Sequence, residues 1–306
     1  MKHRRVFAIG QSVFDILFKN NQPFTAKVGG SMLNTTISLG RLGVNVYFMG
    51  EYGYDFAGNI THAFLTDNNV KTDYASRFND GQTTISLAFL QEDHNAAYNF
   101  YRNMPEKRLQ NKFPEIEKDD ILLFGSFYIF DTAVEEKILP FLKAAKEKGA
   151  VLMYDPNFRK AHYNRIEELK PKFLQYFELA DIVRGSDEDF MGIFKVDTFN
   201  KLLEVFPDKE SVLVYTSVQQ GLSVRSVGKI TTYNLPEIEP VSTIGAGDTF
   251  NAGIIFGLLQ HKIFKAEINN LSQDITYKII SQAIEFSSHV CMSEDNYLSL
   301  EFCRGI

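Results

Sequence analysis

The sequence has almost no cysteine. Two, Cys291 and Cys303, in 306 residues cannot build a disulfide framework or a zinc cluster, so a reducing cytoplasm is the expected compartment. It also lacks an excess of positive charge. A formal net charge of -6 argues against a nucleic-acid partner, because neutralising phosphates takes a basic surface. The short basic run from Lys2 to Arg5 reads as solvation of the N-terminus. Long hydrophobic runs are missing too. The best candidate, Ala252 to Leu259, falls far short of the roughly 20 apolar residues that span a bilayer. The start, Met1 to Gly10, carries only a brief apolar stretch before Gln11 and Asp15, unlike a secretory leader. No repeat, low-complexity stretch or Pro/Gly/Ser linker divides the chain.

What is present is ordinary globular composition, 44% hydrophobic and 23% charged, in a length that permits one large α/β domain or two small ones. The 27 phenylalanines read as core. Short apolar strands alternate with amphipathic helices. Val6 to Ile9, Val44 to Met49, Ile121 to Phe124, Val151 to Tyr154 and Val212 to Tyr215 read as strands. Helices are expected over Thr35 to Leu42 with Asn34 as N-cap, over Asp55 to Asp67, around Ile166 to Phe177 and over Phe199 to Phe206. Val134, Ile138, Phe141, Leu142 and Ala145 share a further helical face, with Gly149 as its C′ residue. Such alternation implies right-handed crossovers and a mostly parallel sheet with helices on both faces.

Two regions break the rhythm. Asp15 to Phe18 and Phe24 to Val28 flank an Asn20-Asn21 turn, and Ile85, Leu87 and Phe89 alternate with polar or small neighbours before a turn at Asp93-His94-Asn95. These read as half-exposed antiparallel strands, a small sheet near residues 12–30 and 83–102 inserted as a lid into a single domain, 1–306.

Three segments carry chemistry. Ser242-Thr243-Ile244-Gly245-Ala246-Gly247-Asp248 runs into a helix apolar almost all round. Small residues at a helix N-terminus expose N–H donors to an anion, and Asp248 adds a carboxylate able to take a hydroxyl proton beside it. The same segment also reads as a glycine turn whose Asp248 merely favours the helix dipole. Lys27-Val28-Gly29-Gly30-Ser31-Met32-Leu33-Asn34 permits a tight turn and a polar side chain at a helix start, or a plain turn and cap. Asp15, just past the first strand and Gly10, suits hydrogen bonds from sugar hydroxyls or simple solvation. A dinucleotide-binding reading fails, because Gly10-Gln11-Ser12-Val13 is no G-x-G-x-x-G.

In identity, order and separation, Gly10…Asp15, Gly29-Gly30…Asn34 and Gly245-Ala246-Gly247-Asp248 resemble the ribokinase-like (PfkB) sugar kinases over nearly the whole chain. Phe48 to Gly58 looks like the family's segment after the second strand, and Asp155-Pro156-Asn157-Phe158-Arg159 resembles the D-x-N-x-R of its fructokinase-like and ketodeoxygluconate kinase-like members.

The resemblance implies a three-layer α/β/α domain with a β-sheet lid, transferring the γ-phosphate of ATP with Mg²⁺ and leaving a monovalent cation open as activator. It implies Asp248 as base, Gly245, Ala246 and Gly247 as anion hole, and Asp15, Gly29, Gly30 and Asn34 around the sugar hydroxyls. Arg102 and Arg159 are further substrate candidates, each with a structural alternative: a solvated strand end for Arg102, an ion pair for Arg159. With Lys107 they are also the cations a sugar-phosphate acceptor would need.

On the nucleotide side the chain departs from the family pattern. Ser186 and Asp189 stand for the N-x-x-E pair. Thr216 to Gly221 carries Val218 where the T-x-G-x-x-G pattern has glycine. Ser242 replaces an Asp ahead of Gly245, with Ile244 at an often polar position, and Ser287 to Cys291 lacks the usual Gly-Ala ending. Fructose is the first acceptor expected, with 2-keto-3-deoxygluconate, ribose and nucleosides open. A sugar-binding regulator with little turnover is the alternative from another class. Family lid strands often build dimers, so a homodimer is expected.

Overall fold

The computed structural model describes residues 4–90, 96–206, 211–226 and 228–306; the expected turn at Asp93-His94-Asn95 lies outside them. The chain forms two compact units: Met1–Pro114 with Ile238–Phe256 and Gln282–Ile306, and Glu115–Glu237 with Gly257–Ser281.

In the first unit, β1 (Val6–Ile9) is wholly buried and pairs in parallel with β4 (Val46–Met49). β2 (Val13–Lys19) and β3 (Gln22–Gly29) flank a tight turn, with α1 (Ser31–Arg41) following. Asn20 and Asn21, at φ 52° and 59°, supply the two left-handed residues that a two-residue hairpin demands. β5 (Glu51–Gly53), α2 (Phe56–Asp67), β6 (Ser76–Phe78), β7 (Gln82–Leu90) and β8 (Ala96–Asn103) complete the sequence of elements up to the second unit.

Among the described residues β3-β2-β7-β8 form a sheet of their own. The antiparallel expectation holds for its two hairpins, β2–β3 and β7–β8. It fails at the centre, where β2 and β7 run parallel with Asp15 opposite Ser86. The long excursion through α1 to β6 brings β7 back in the same direction as β2, a non-local pairing that strand alternation cannot reveal.

The second unit holds β9 (Ile121–Gly125), α3 (Thr132–Glu147), β10 (Val151–Asp155), α4 (Ile166–Leu179), β11 (Ile182–Ser186), α5 (Asp187–Phe194), α6 (Phe199–Val205), β12 (Val212–Ser217), β13 (Gly221–Ser226) and β14 (Lys229–Tyr233). β9 to β12 are parallel neighbours, and β13 and β14 add an antiparallel edge. β9 and β10 are fully buried, as parallel strands covered on both faces must be. α3 buries Val134, Ile138, Leu142 and Ala145 and stops at Gly149, φ 83°, a left-handed C′ glycine.

α7 (Ala246–Gln260), α8 (Gln273–Cys291) and α9 (Leu300–Arg304) follow. α7 is buried from Thr249 to Leu259, as its all-round apolar sequence requires. Among the described residues no helix is long and apolar enough to cross a membrane.

Candidate active site

α1 does not start where the sequence suggested. Gly30 occupies the N-cap position at φ 123°, ψ 131°, and Asn34 lies one turn inside the helix. Gly30 supplies no side-chain cap, but its carbonyl accepts from Asn34 N at 2.8 Å. A side chain at Gly30 would be strained by φ and would collide with the Gln11 carbonyl. With the cap made by backbone alone, the Asn34 side chain is left for another partner.

That partner is Asp248. Asn34 Nδ2 donates to Asp248 Oδ2 at 2.8 Å, and the neighbouring Thr35 Oγ1 donates to the Asp248 main-chain oxygen at 2.8 Å. Only the amide nitrogen can donate to a carboxylate, so this bond fixes the amide's orientation. Asn34 Oδ1 is then buried with no donor among the described residues, an acceptor that a ligand hydroxyl can satisfy.

Asp248 is in the first turn of α7 and half-buried. Gly245, φ 83°, precedes the helix, and a β-carbon there would strike the Asn296 main chain. Thr249 N donates to Gly245 O at 2.9 Å, and Ala246 N reaches Thr243 O at a long 3.3 Å.

Asp15 is half-buried on β2, with its carboxyl end enclosed. Ser86 Oγ donates to its Oδ1, and its Oδ2 fills the space a Gly29 side chain would need. Burial, partly offset by the Ser86 hydrogen bond, raises its pKa to about 6. Arg102 lies exposed on β8 with its guanidinium over the Phe100 ring.

The base of the small sheet is tied by residues the sequence reading gave no role. Glu51, buried, accepts from Arg108 Nε at 2.8 Å and from Leu109 N, while its carbonyl takes the Ser12 hydroxyl at 2.7 Å. Asp55 caps α2 and also accepts from Thr83 N at 2.7 Å and Thr83 Oγ1 at 2.8 Å. Burial pushes Asp55 up, but the bonds from Thr83 and Gly58 outweigh it and lower its pKa. Both carboxylates lie within Phe48 to Gly58, so the signal was there. What was hidden was the partner set, spread from Ser12 to Leu109.

In the second unit, Ser186 and Asp189 form a capping box at the start of α5. Asp189 is buried, and both its oxygens are taken, by Phe158 N at 2.5 Å, Ser186 N at 2.7 Å and Ser186 Oγ at 2.6 Å. Burial, then the nearby Asp155 carboxylate, raises its pKa. Arg184 bridges Asp155 (3.1 Å) and Thr216 Oγ1 (2.9 Å). Asp155 Oδ1 also receives Asn157 N at 2.9 Å, at a residue with φ 39°. The D-x-N-x-R aspartate thus shapes the turn rather than lying open to a ligand. Arg159 is exposed and enters no ion pair among the described residues, contrary to the structural alternative. Gly221, φ 75°, opens β13, and Val218 is 93% exposed in the preceding turn.

A model of the pfkB family carbohydrate kinases matches residues 6–268. The chain belongs to this family of phosphotransferases. It is 30% identical over 240 residues to a probable chloroplastic fructokinase-6 of Arabidopsis thaliana, a match covering 76% of this chain and 62% of that protein. To a fructokinase-1 of Oryza sativa subsp. japonica it is 28% identical over 247 residues, covering 78% and 75%. Among solved structures, a Vibrio cholerae O395 fructokinase with fructose, ADP and calcium ion superposes with TM-score 0.84 at 20% identity, covering 99% of this chain and 98% of that one. A Salmonella enterica aminoimidazole riboside kinase, complexed with aminoimidazole riboside and an ATP analogue, gives 0.82 at 17%, covering 99% of each. These likenesses show the fold: mixed α/β and ribokinase-like, with a large mostly parallel sheet and a small separate one.

Proposed function

We propose that this pfkB-family protein transfers the γ-phosphoryl group of ATP to a sugar hydroxyl, with Asp248 as general base. The observation that carries the reading is the Asn34–Asp248 hydrogen bond of 2.8 Å, which fixes a half-buried carboxylate at the start of a helix whose first-turn amides suit an anion. In the step proposed, Asp248 takes the hydroxyl proton and the freed oxygen bonds to the γ-phosphorus. The bond from that phosphorus to the β–γ bridging oxygen breaks, and ADP leaves. In this reading the Gly245-Ala246-Gly247 turn is the anion hole that meets the phosphoryl oxygens. Asp15, Gly29, Gly30 and Asn34 form the sugar side, where Asn34 Oδ1 suits a hydroxyl donor.

Ser186, Asp189, Thr216 and Gly221 form the nucleotide side in this reading, with Ser186 and Asp189 supporting the start of α5. Mg²⁺, which binds largely through substrate phosphates with one or two carboxylates, would neutralise phosphate charge. The α5 carboxylates that fit are Asp187, half-buried, and Glu188, exposed, because both Asp189 oxygens are occupied by protein donors. A reducing compartment such as the cytoplasm suits its two free thiols. A homodimer through the small sheet is supported by the exposed Phe24, Tyr98 and Phe100.

Fructose is the first acceptor on the strength of the fructokinase relatives, and the riboside kinase likeness keeps nucleosides second. ATP consumption measured across fructose, 2-keto-3-deoxygluconate, ribose, nucleosides and sugar phosphates tests this. Acceptor-dependent ADP release, greatest with fructose, is expected. Sugar binding without turnover on any acceptor would support the regulator.

A further inference from the structure

The geometry points to Thr35 as a positioning residue for Asp248, an inference that rests on reading Asp248 as the base. Thr35 is fully buried. Its hydroxyl has one proton and two acceptors in reach: Asp248 O at 2.8 Å and Ser31 O at 3.2 Å. The Ser31 carbonyl is the ordinary local partner of a threonine inside a helix. Satisfying the buried hydroxyl therefore requires nothing of Asp248, yet the shorter bond goes there. Thr36 next door shows the local solution, donating to Leu33 O at 2.6 Å.

The bond also has a neighbour that makes it a clamp. Asn34 holds the Asp248 carboxylate while Thr35 holds its carbonyl, so consecutive residues of α1 grip the side chain and the main chain of one residue in α7. Side-chain contact alone leaves the carboxylate free to swing with its backbone. Main-chain contact alone leaves the side-chain torsions free. Together they fix both the position and the direction of the carboxylate. A branched side chain with a stiff χ1 suits that task, and a carboxylate displaced by a fraction of an ångström loses alignment with the proton it must take. Thr35 touches neither substrate in this account. Its effect passes entirely through Asp248.

The test is kinetic. Thr35→Val keeps the shape and removes the hydroxyl, Thr35→Ser restores a hydroxyl, and Thr36→Val is the control for deleting a buried hydroxyl from the same helix. If valine does not fold at position 35, Thr35→Ala serves, with thermal melts confirming the folded state of every variant.

For Thr35→Val, kcat should fall roughly 10- to 100-fold with acceptor and ATP KM within about twofold of wild type, the signature of an interaction lost only on the way to the transition state. Thr35→Ser should recover most of the rate, and Thr36→Val should match wild type. In an Asp248→Asn background Thr35→Val should remove nothing further, because the two residues act as one unit.

The proposal is overturned by an unchanged kcat in Thr35→Val, by an equal fall in Thr36→Val, or by an undiminished loss in the Asp248→Asn background. Asp248→Asn alone tests the base reading. If it is crippled while Thr35→Val is normal, only the positioning role fails; if it turns over normally, the base reading fails and takes the positioning role with it.

Discussion

The Asp15 carboxylate occupies the space that a side chain on Gly29 would need. The two lie diagonally across the β2–β3 hairpin, where Asp15 pairs with Lys27 and Gly29 with Val13, and Asp15 also accepts a hydrogen bond from Ser86. A methyl group at Gly29 must therefore push Asp15 away from its partner. For Gly29→Ala we expect acceptor KM to rise roughly tenfold, the loss of about one hydrogen bond, with kcat changed less. Steady-state kinetics with varied acceptor measures it. An unchanged KM would mean that Asp15 is no sugar ligand.

Asp15 also makes a prediction in pH. Burial raises its pKa to about 6, above the ordinary value near 3.9 of an unfolded aspartate. The folded state therefore binds more protons than the unfolded state between those values. Stability from this group is full below about pH 4 and lost as pH rises through about 6. Relative to Asp15→Asn, wild type should lose melting temperature across that window. If the ionised form binds the sugar, acceptor KM should rise as pH falls through about 6. Ser86→Ala removes a bond that favours the ionised form and should move this inflection to higher pH. A downward move, or none, would detach the pH effect from Asp15.

Much of the site was legible as residues and little of it as contacts. Gly29-Gly30, Asn34 and Gly245 to Asp248 stood out because small residues beside a lone polar group at a helix start are costly without a reason. The α1 boundary was missed because an asparagine ahead of an apolar run looks like a cap. Here Gly30 starts the helix through its backbone, which frees Asn34 for Asp248. The parallel pairing of Asp15 with Ser86, 71 residues apart, depends on the path of the intervening chain. No local periodicity encodes it. The same holds for Glu51 and Arg108.

That last pair gives a stability prediction. Glu51 and Arg108 are only 4% and 6% exposed, and the sheet base around Ser12 and Leu109 gathers on Glu51. Removing one partner of a buried pair strands the other charge, at a cost of about 3–5 kcal/mol. Glu51→Ala and Arg108→Ala should each melt far below wild type, whereas Glu51→Leu with Arg108→Met should lose less than either. Denaturant titration of the three compares them directly. Singles within error of wild type would show that the pair holds nothing together.

In the second unit, Ser186→Ala removes the α5 cap while leaving Asp189 its bonds from Ser186 N and Phe158 N. Stability should fall by about 1 kcal/mol, the usual worth of a cap. If this turn supports the nucleotide, ATP KM should rise more than acceptor KM. An effect confined to the acceptor would move the turn out of the nucleotide side.

Asp248 is the proposed base, and single-turnover phosphoryl transfer by Asp248→Asn tests that role most directly. Amide and carboxylate have the same shape, so the variant should fold and should bind sugar and ATP with near-wild-type affinity in calorimetry. With no group to take the hydroxyl proton, transfer should slow by about 10²- to 10⁴-fold, the usual range for loss of a general base. Binding preserved with transfer slowed to that degree is the result predicted. Transfer at the wild-type rate would contradict it and remove Asp248 as the base.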